Sequence, residues 1–554
     1  MKEYLSRLVD QVLEKRLASM GAVLMEGPRF CGKTTTAKRL AKVSLALDRP
    51  DKIEHYRALA AIAPEQLWQE KPPVLLDEWE TVPELWAAVC QELESGEKGE
   101  KEGTEKKAGA EKKVGTEKKA GTENKEGTEN KTGKEEKADK AKKGGPEGRF
   151  ILTRSFARTD VDSALSSRFE KIDRIVIRPM SLFESQESSG SISLKALFEG
   201  GAEQAKLVAN TTVNSTANST ANSTTNLTAN LTTNSTTNST TLDDIAFFIC
   251  RGGWPHALGM APRSALQQAK KYITSLVEAD LSQVDGVQRK PAKARSLLAS
   301  YARQVGTASS LETIRKESLR STQDTFDPVT LYAYLAALER TFTVEDLPAW
   351  QPQLRFQADI KMSSRESSQA DVVMSSQESS QVDVDTSSQK CSQADVDASS
   401  QKCSQASVQR GIRTTPVRYF IDPSLATAAL ALTPRDLMND LVRMGFLFKN
   451  LCIRDLRVYA EVLDASLSQY RDRTGLACDA VLQRRNGSYG LIQVCLGGDR
   501  AIDEAAQILH RLLAKLDIQN TQNPAFLAVL CAIAPSAYQR EDGIWVLPVT
   551  NLGP

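Results

Sequence analysis

GAVLMEGPRFCGKTTTAKRLAKV, residues 21–43, decides the fold. Residues 21–26 form a run of strand length, apolar from Ala22 to Met25, that begins at Gly21 and is followed by Gly27. Gly27, Pro28, Arg29, Phe30, Cys31, Gly32, Lys33 and Thr34 follow, and Thr35 opens a helical stretch that reaches Val43. This is the G-x-x-x-x-G-K-[ST] spacing between a strand and a helix, the context the motif needs. Glycines let backbone N–H groups wrap phosphate oxygens, and the helix N-terminus adds the positive end of its dipole. Residues 27–35 are therefore the expected nucleotide-binding loop. Lys33 is expected to neutralise the β- and γ-phosphates, and Thr34 to hold Mg²⁺. ATP and Mg²⁺ are the implied cofactors.

A second run, Pro73-Val-Leu-Leu-Asp77-Glu78, is a hydrophobic strand ending in two carboxylates. Downstream of such a loop, Asp77 is expected in the Mg²⁺ shell, and Glu78 is expected to orient or deprotonate the attacking water. Residues 150–153 give a further strand whose terminal Thr153 is placed to sense the γ-phosphate. Residues 174–177 and 44–48 supply two more strands. The expected class is α/β, a parallel sheet with helices on both faces and nucleotide at the strand C-termini.

The whole chain has 554 residues, formal net charge +1 and 40% hydrophobic residues. That suits a near-neutral globular protein of several domains, without the basic excess of a nucleic-acid arm. No apolar stretch approaches the length of a membrane span, and the charged start of the chain, residues 1–17, has helical periodicity rather than a signal peptide's profile. Nine cysteines without a C-x-x-C pair suit reduced thiols, so the expected location is cytoplasmic. Three histidines make a His/Cys metal centre improbable.

Three repetitive segments interrupt the chain. Residues 103–138 repeat a GTEKKA-like hexapeptide within an insertion at about 97–147, residues 210–241 repeat an NST-type tetrapeptide, and residues 363–410 repeat an SSQ-type dodecamer. None has the apolar content to form a core, so disorder is expected in all three. The tetrapeptide segment contains eight N-x-[ST] sites, which stay unmodified in a protein that is not exported.

With the repeats set aside, the stretches EGPRFCGKTTTA, LLDEWETVPELW, RFILTRS, RIVIRPMSLFE, CRGGWP, VEDLPAWQP, FIDPSLA and GFLFKNLCIRDLRVYA, with the hairpin quoted below, bear a family likeness. The chain resembles bacterial and archaeal AAA-type ATP-binding proteins that end in a domain of unknown function. The resemblance implies an ATPase domain at 1–180, a helical connection at 181–290 and a winged-helix-like domain at 291–362. After the repeats at 363–410 it implies an endonuclease-like domain at 411–554. One departure stands beside the phosphates: where the pattern has Thr-Gly-Ser, this chain has Thr153-Arg154-Ser155, so an arginine is expected either to add charge to the pocket or to crowd it. A γ-phosphate-sensing arginine is expected at Arg168 or Arg174.

In the middle region, helices are expected at 294–305, 311–320 and 328–340, followed by a wing strand at 341–346. The third helix, PVTLYAYLAALER, offers only one cation, Arg340, so a hinge is favoured over a DNA reader. The hairpin ACDAVLQRRNGSYGLIQVCLGG, residues 477–498, turns at Asn486-Gly487. It is similar to the layout of restriction-type nucleases, which place an acid on the first strand and Glu-x-Lys on the second. The resemblance puts glutamates at 449, 477 and 493 and a lysine at 495. This chain has Lys449, Ala477, Gln493 and Cys495, and only Asp479 remains. A hard cation needs anionic oxygen, so a degenerate, non-cutting site is expected.

The function expected is a MgATP-hydrolysing ATPase whose C-terminal domain binds a protein partner or nucleic acid without cutting it. The alternative is a nucleotide-binding relative that does not hydrolyse. No membrane association is expected, and oligomerisation is left open.

Overall fold

The computed structural model describes residues 4–68, 72–94, 148–157, 172–200, 240–319, 326–352, 411–518 and 522–554. The repeats at 97–147 and 363–410, nearly all of 210–241, and Arg168 lie outside those residues.

The first sheet is built from β1 (Ala22–Glu26), β2 (Val43–Ala46), β3 (Val74–Asp77), β4 (Phe150–Arg154) and β5 (Ile172–Val176). Its order is β2-β3-β4-β1-β5, and every pair is parallel. All residues of β1, β3 and β4 are buried, as a parallel sheet covered on both faces requires. Alternation along β1 separates two cores. Ala22 and Leu24 pack with Tyr56 and Ala60 of α3 (Ile53–Ile62), whereas Val23 and Met25 face α1 (Leu8–Ser19) and Ala37 of α2 (Lys33–Leu40). The strand expected at 174–177 begins two residues earlier, because pairing with β1 rather than the apolar run sets its register.

The chain then passes β6 (Ile192–Ser193) and enters a helical mass: α4 (Leu242–Arg251), α5 (Pro262–Ser275), α6 (Pro291–Arg303), α7 (Leu311–Leu319), α8 (Pro328–Arg340), α9 (Pro423–Ala429) and α10 (Leu441–Val462). Proline in the first turn starts α5, α6, α8 and α9, where its missing N–H costs nothing. Asp327 caps α8 by accepting from Thr330 N at 2.9 Å.

The wing strand expected at 341–346 does not form. Phe342 adopts a left-handed φ of 52°, and Val344 and Leu347 make only single antiparallel bridges, to Phe420 and Val417. Helix α8 buries Leu331, Tyr334, Leu335, Ala337 and Leu338 and turns Val329 and Tyr332 outward. Arg340 lies 3.8 Å from Asp285. The outward face of α8 carries Val329, Tyr332 and the acidic Glu339, and its one cation is Arg340 at the end.

The second sheet contains β7 (Ala465–Arg471), β8 (Ala477–Arg484), β9 (Tyr489–Gly497), β10 (Phe526–Ile533), β11 (Tyr538–Gln539) and β12 (Trp545–Pro548), in the order β11-β12-β10-β9-β8-β7. Helix α11 (Asp499–Ile518) connects β9 to its parallel neighbour β10. Alternation again sorts the faces: Ala528 and Leu530 face the central helices, Val529 and Cys531 face α11. One core therefore continues from the first sheet through the helices to the second. A last strand, β13 (Leu552–Gly553), returns to pair with β6. No helix among the described residues is long and apolar enough to cross a membrane.

Glu345 ties the parts together. Arg178, just past β5, donates to both its oxygens at 2.7 and 3.0 Å, while Arg457 of α10 donates to its backbone carbonyl at 2.7 Å. Burial alone would raise this carboxyl, but Arg178 and Arg457 outweigh it and hold it at about 2. Because the folded value lies below the ordinary 4.5, the stabilisation is complete above pH 4.5 and lost as pH falls towards 2. Glu345→Gln is expected to cost roughly 3 kcal/mol at pH 7 and to flatten the acid limb of stability. Denaturant midpoints at pH 7 and pH 3 test this: an equal loss at both contradicts it.

Candidate functional site

The loop expected to hold phosphate sits at the C-terminal end of β1. Phe30 and Gly32 adopt positive φ of 64° and 104°, and Gly32 caps α2. A Cβ on Gly27 would lie 2.1 Å from the Ile177 carbonyl oxygen, so only glycine lets the loop start this close to the end of β5. Arg7 supports the loop from outside the motif. It is 5% exposed, and its guanidinium donates to Cys31 O at 2.9 Å, to Arg178 O at 2.8 Å and to Glu184 Oε1 at 2.9 Å.

Lys33 is buried, and its ammonium donates to Gly27 O, Pro28 O and Ser155 Oγ, each at 3.0 Å. Thr34 Oγ1 donates to Asp77 Oδ1 at 2.8 Å, and Thr153 Oγ1 donates to the same oxygen at 2.6 Å. Thr153 also accepts from Glu78 N at 3.0 Å. Ser155 Oγ donates to Glu78 Oε1 at 2.7 Å, so it stands between Lys33 and Glu78. Insertion of β4 between β1 and β3 is what brings Thr153 and Ser155 between the loop and the two acids. Glu78 itself has a left-handed φ of 53°, turning the chain directly after β3. Burial raises the Asp77 carboxyl, and its bonds from Thr153 and Thr34 oppose that. Glu80 is buried beside Glu78; burial first and Glu78's charge second push it well above the usual carboxylate range. A hydroxyl and a carboxylate converging without sulfur or imidazole form an oxygen donor set that fits Mg²⁺, which completes its shell with phosphate and water.

Two cavities meet at Phe30 of the loop. One, of about 600 Å³, is lined by Arg29, Lys33, Thr34, Thr35, Glu78 and His256 among others. The other, of about 410 Å³, shares Phe30 and His256 with it and is walled by Trp254, Tyr272, Gln268 and Lys271. Trp254 stacks on Tyr272 with centroids 4.9 Å apart, and the Phe30 ring stands edge-on to Tyr272 at 6.4 Å. Sequence reasoning missed Arg7, Ser155, Glu80 and this aromatic wall. Of these, Ser155, Glu80 and Trp254 lie within the stretches RFILTRS, LLDEWETVPELW and CRGGWP that carry the likeness, whereas Arg7 lies in none of them.

Two arginines are not where the sequence suggested. Arg154 neither charges nor crowds the cavity. It is 1% exposed and donates to Glu26 Oε2 at 2.9 and 2.7 Å, because alternation along β4 turns it away from Thr153's side. Arg174 donates to Glu26 Oε1 at 2.6 Å and lines a separate cavity with Arg16, Glu461 and Arg484, so it is not brought to Lys33.

The hairpin positions converge in the second sheet. Lys449 Nζ, on α10, lies 2.6 Å from Asp479 Oδ1. Val494 N donates to Asp479 Oδ2 at 2.9 Å, and Asp479 N donates to Gln493 Oε1 at 3.3 Å. Cys495 follows on β9. An ammonium thus neutralises the one carboxylate left at these positions.

Among known proteins, residues 242–365 match a family described as Domain of unknown function (DUF8612). That segment contains Trp254, His256 and Tyr272 of the aromatic wall. No curated protein and no solved structure matches the chain.

Proposed function

We propose that the chain is an AAA-type ATPase that binds MgATP at residues 27–35 and hydrolyses it. One observation supports this above all: Lys33, Ser155, Glu78, Thr153, Asp77 and Thr34 join in one hydrogen-bonded group at the C-terminal ends of parallel strands, bordering a cavity of about 600 Å³. Lys33 exchanges its loop carbonyls for β- and γ-phosphate oxygens. Thr34 and Asp77 hold Mg²⁺, which neutralises phosphate charge when bound. Glu78, aligned by Ser155, takes a proton from the attacking water. The aromatic cavity beyond Phe30 accepts the base, which accounts for a nucleotide rather than free phosphate. Single-turnover phosphate release from ATP tests the reading. Binding without release selects the non-hydrolysing alternative, and no binding overturns both.

The C-terminal domain, in this reading, is a nuclease-like scaffold that serves as a binding module for a partner or nucleic acid. With Lys449 on Asp479, purified protein is expected not to cleave single- or double-stranded DNA with Mg²⁺ or Mn²⁺. Asp479→Asn leaves that result unchanged and costs about 1 kcal/mol of stability, because it strands a partly exposed ammonium. Metal-dependent cutting that disappears in Asp479→Asn contradicts the proposal.

A further inference from the structure

Arg29 belongs to the phosphate loop, yet its guanidinium reaches away from the loop's own backbone. Its Nη1 lies 2.7 Å from Asp280 Oδ1, and the guanidinium carbon sits 5.4 Å from the centroid of the Phe156 ring. The side chain is 38% exposed, whereas that of Asp280 is 4% exposed. Arg29 borders the cavity shared by Lys33, Thr34 and Glu78, and also a neighbouring space of about 430 Å³ lined by Glu78 and Glu80. No other arginine among the described residues lines the first of these. Asp280 closes a π-helical turn, Leu276–Asp280, between α5 and the short helix Leu281–Gln283; such turns are rare and gather at functional sites.

The geometry points to Arg29 as the residue that stabilises transition-state charge on the γ-phosphoryl group, supplied in cis from the phosphate loop and held on Asp280 until nucleotide arrives. This rests on the MgATP reading above. In the reaction, the water oxygen bonds to the γ-phosphorus as the bond to the β–γ bridging oxygen breaks. Glu78 takes the water's proton, and the products are ADP and inorganic phosphate. Charge spreads over the equatorial oxygens during that exchange, and preformed cations aimed there act most strongly in a site that excludes water. Lys33 approaches from the loop side. Arg29 and Glu78 border the same two spaces, so the guanidinium can reach the phosphoryl group from the side where water attacks. The exposed part of the side chain gives it room to swing, and the buried Asp280 supplies a fixed resting partner.

A purely structural strut between loop and π-turn is the rival role, and the two are separable. The full-length protein, Arg29→Ala, Arg29→Lys and Asp280→Asn are compared by calorimetry with MgADP, by calorimetry with MgADP plus aluminium fluoride, and by phosphate release, with melting curves to verify folding. Arg29→Ala is expected to lose the tighter binding that aluminium fluoride confers and to turn over about 10²–10³-fold more slowly, with MgADP affinity changed less than about threefold. Arg29→Lys recovers part of the loss. Asp280→Asn frees the guanidinium without deleting it, and turnover stays within about threefold of the unaltered protein or rises. If Asp280→Asn falls as far as Arg29→Ala, the pair is only a strut and the inference is overturned. It is equally overturned if Arg29→Ala retains the aluminium fluoride enhancement. If the unaltered protein binds no MgADP, the ATPase reading itself fails and takes this inference with it.

Discussion

Lys33→Ala is expected to abolish the MgATP-dependent rise in melting temperature and to bring phosphate release to background. In the unaltered protein, a ligand held at a hundred times its Kd adds about 2.7 kcal/mol to the folded state, a shift of several degrees. The ammonium is buried within a loop whose other donors are backbone N–H groups, so its removal takes away the fixed cation nearest the α2 N-terminus. Without nucleotide the same substitution is mild. It deletes three hydrogen bonds, to Gly27 O, Pro28 O and Ser155 Oγ, at a cost of about 1–2 kcal/mol; of these acceptors Ser155 lines the open cavity, where water can replace the lost donor. Differential scanning fluorimetry with and without millimolar MgATP separates the two effects. A full shift retained in Lys33→Ala would place ATP binding elsewhere on the chain and remove the ground for every role given to residues 27–35.

What the sequence made legible follows from how local each signal is. Strands β1, β3 and β4 are buried on both faces, so they stand out as unbroken apolar runs between glycine or acidic punctuation. Helix α8 was legible to its bounds because Asp327 caps it and Pro328 starts it. The wing at 341–346 alternates like a strand, but its partners, Val417 and Phe420, come from across a long repeat and bridge one residue at a time. Strand preference without a partner ladder yields to tertiary context. Arg174 was assigned from its place along the chain, while its actual partner, Glu26, is fixed by the register between β1 and β5. Arg7 lay furthest from legibility. Nothing in a charged helical start reveals that one guanidinium will sit under the Cys31 carbonyl. Ser155 and Tyr272 are similar cases, since each gains its place from segments distant in sequence that converge only on folding.

Removing the guanidinium of Arg454 is expected to have the largest effect on stability. Arg454 lies mid-way along α10, 1% exposed, with Nη1 3.0 Å from Asp422 Oδ2 and Nη2 2.7 Å from Asp455 Oδ1. Both acids also hold backbone from elsewhere: Leu182 N donates to Asp455 at 3.1 Å, and Gly253 N to Asp422 at 2.9 Å. Beside Gly253, Trp254 Nε1 donates to Ser424 Oγ at 2.9 Å, which fixes the indole that walls the aromatic cavity. Arg454→Ala leaves two fully buried carboxylates without their cation, for which about 3–5 kcal/mol is expected. The loss should also depend on pH. Burial raises Asp455 to about 6, with Arg454 opposing the rise, and without Arg454 it climbs further. A carboxyl whose folded pKa lies above its ordinary 3.8 favours the folded state while protonated and disfavours it as pH rises through the folded value. The destabilisation by Arg454→Ala is therefore smaller at pH 5 than at pH 8, and adding Asp455→Asn recovers part of it at pH 8 while keeping an acceptor for Leu182 N. Urea unfolding of the single and double variants at both pH values measures this. MgATP affinity should fall in the single variant as well, because Trp254 hangs from the same Asp422–Ser424 corner that Arg454 anchors. A loss below about 1 kcal/mol that is the same at pH 5 and pH 8 would show that the buried ions do not couple α10 to the cavity wall.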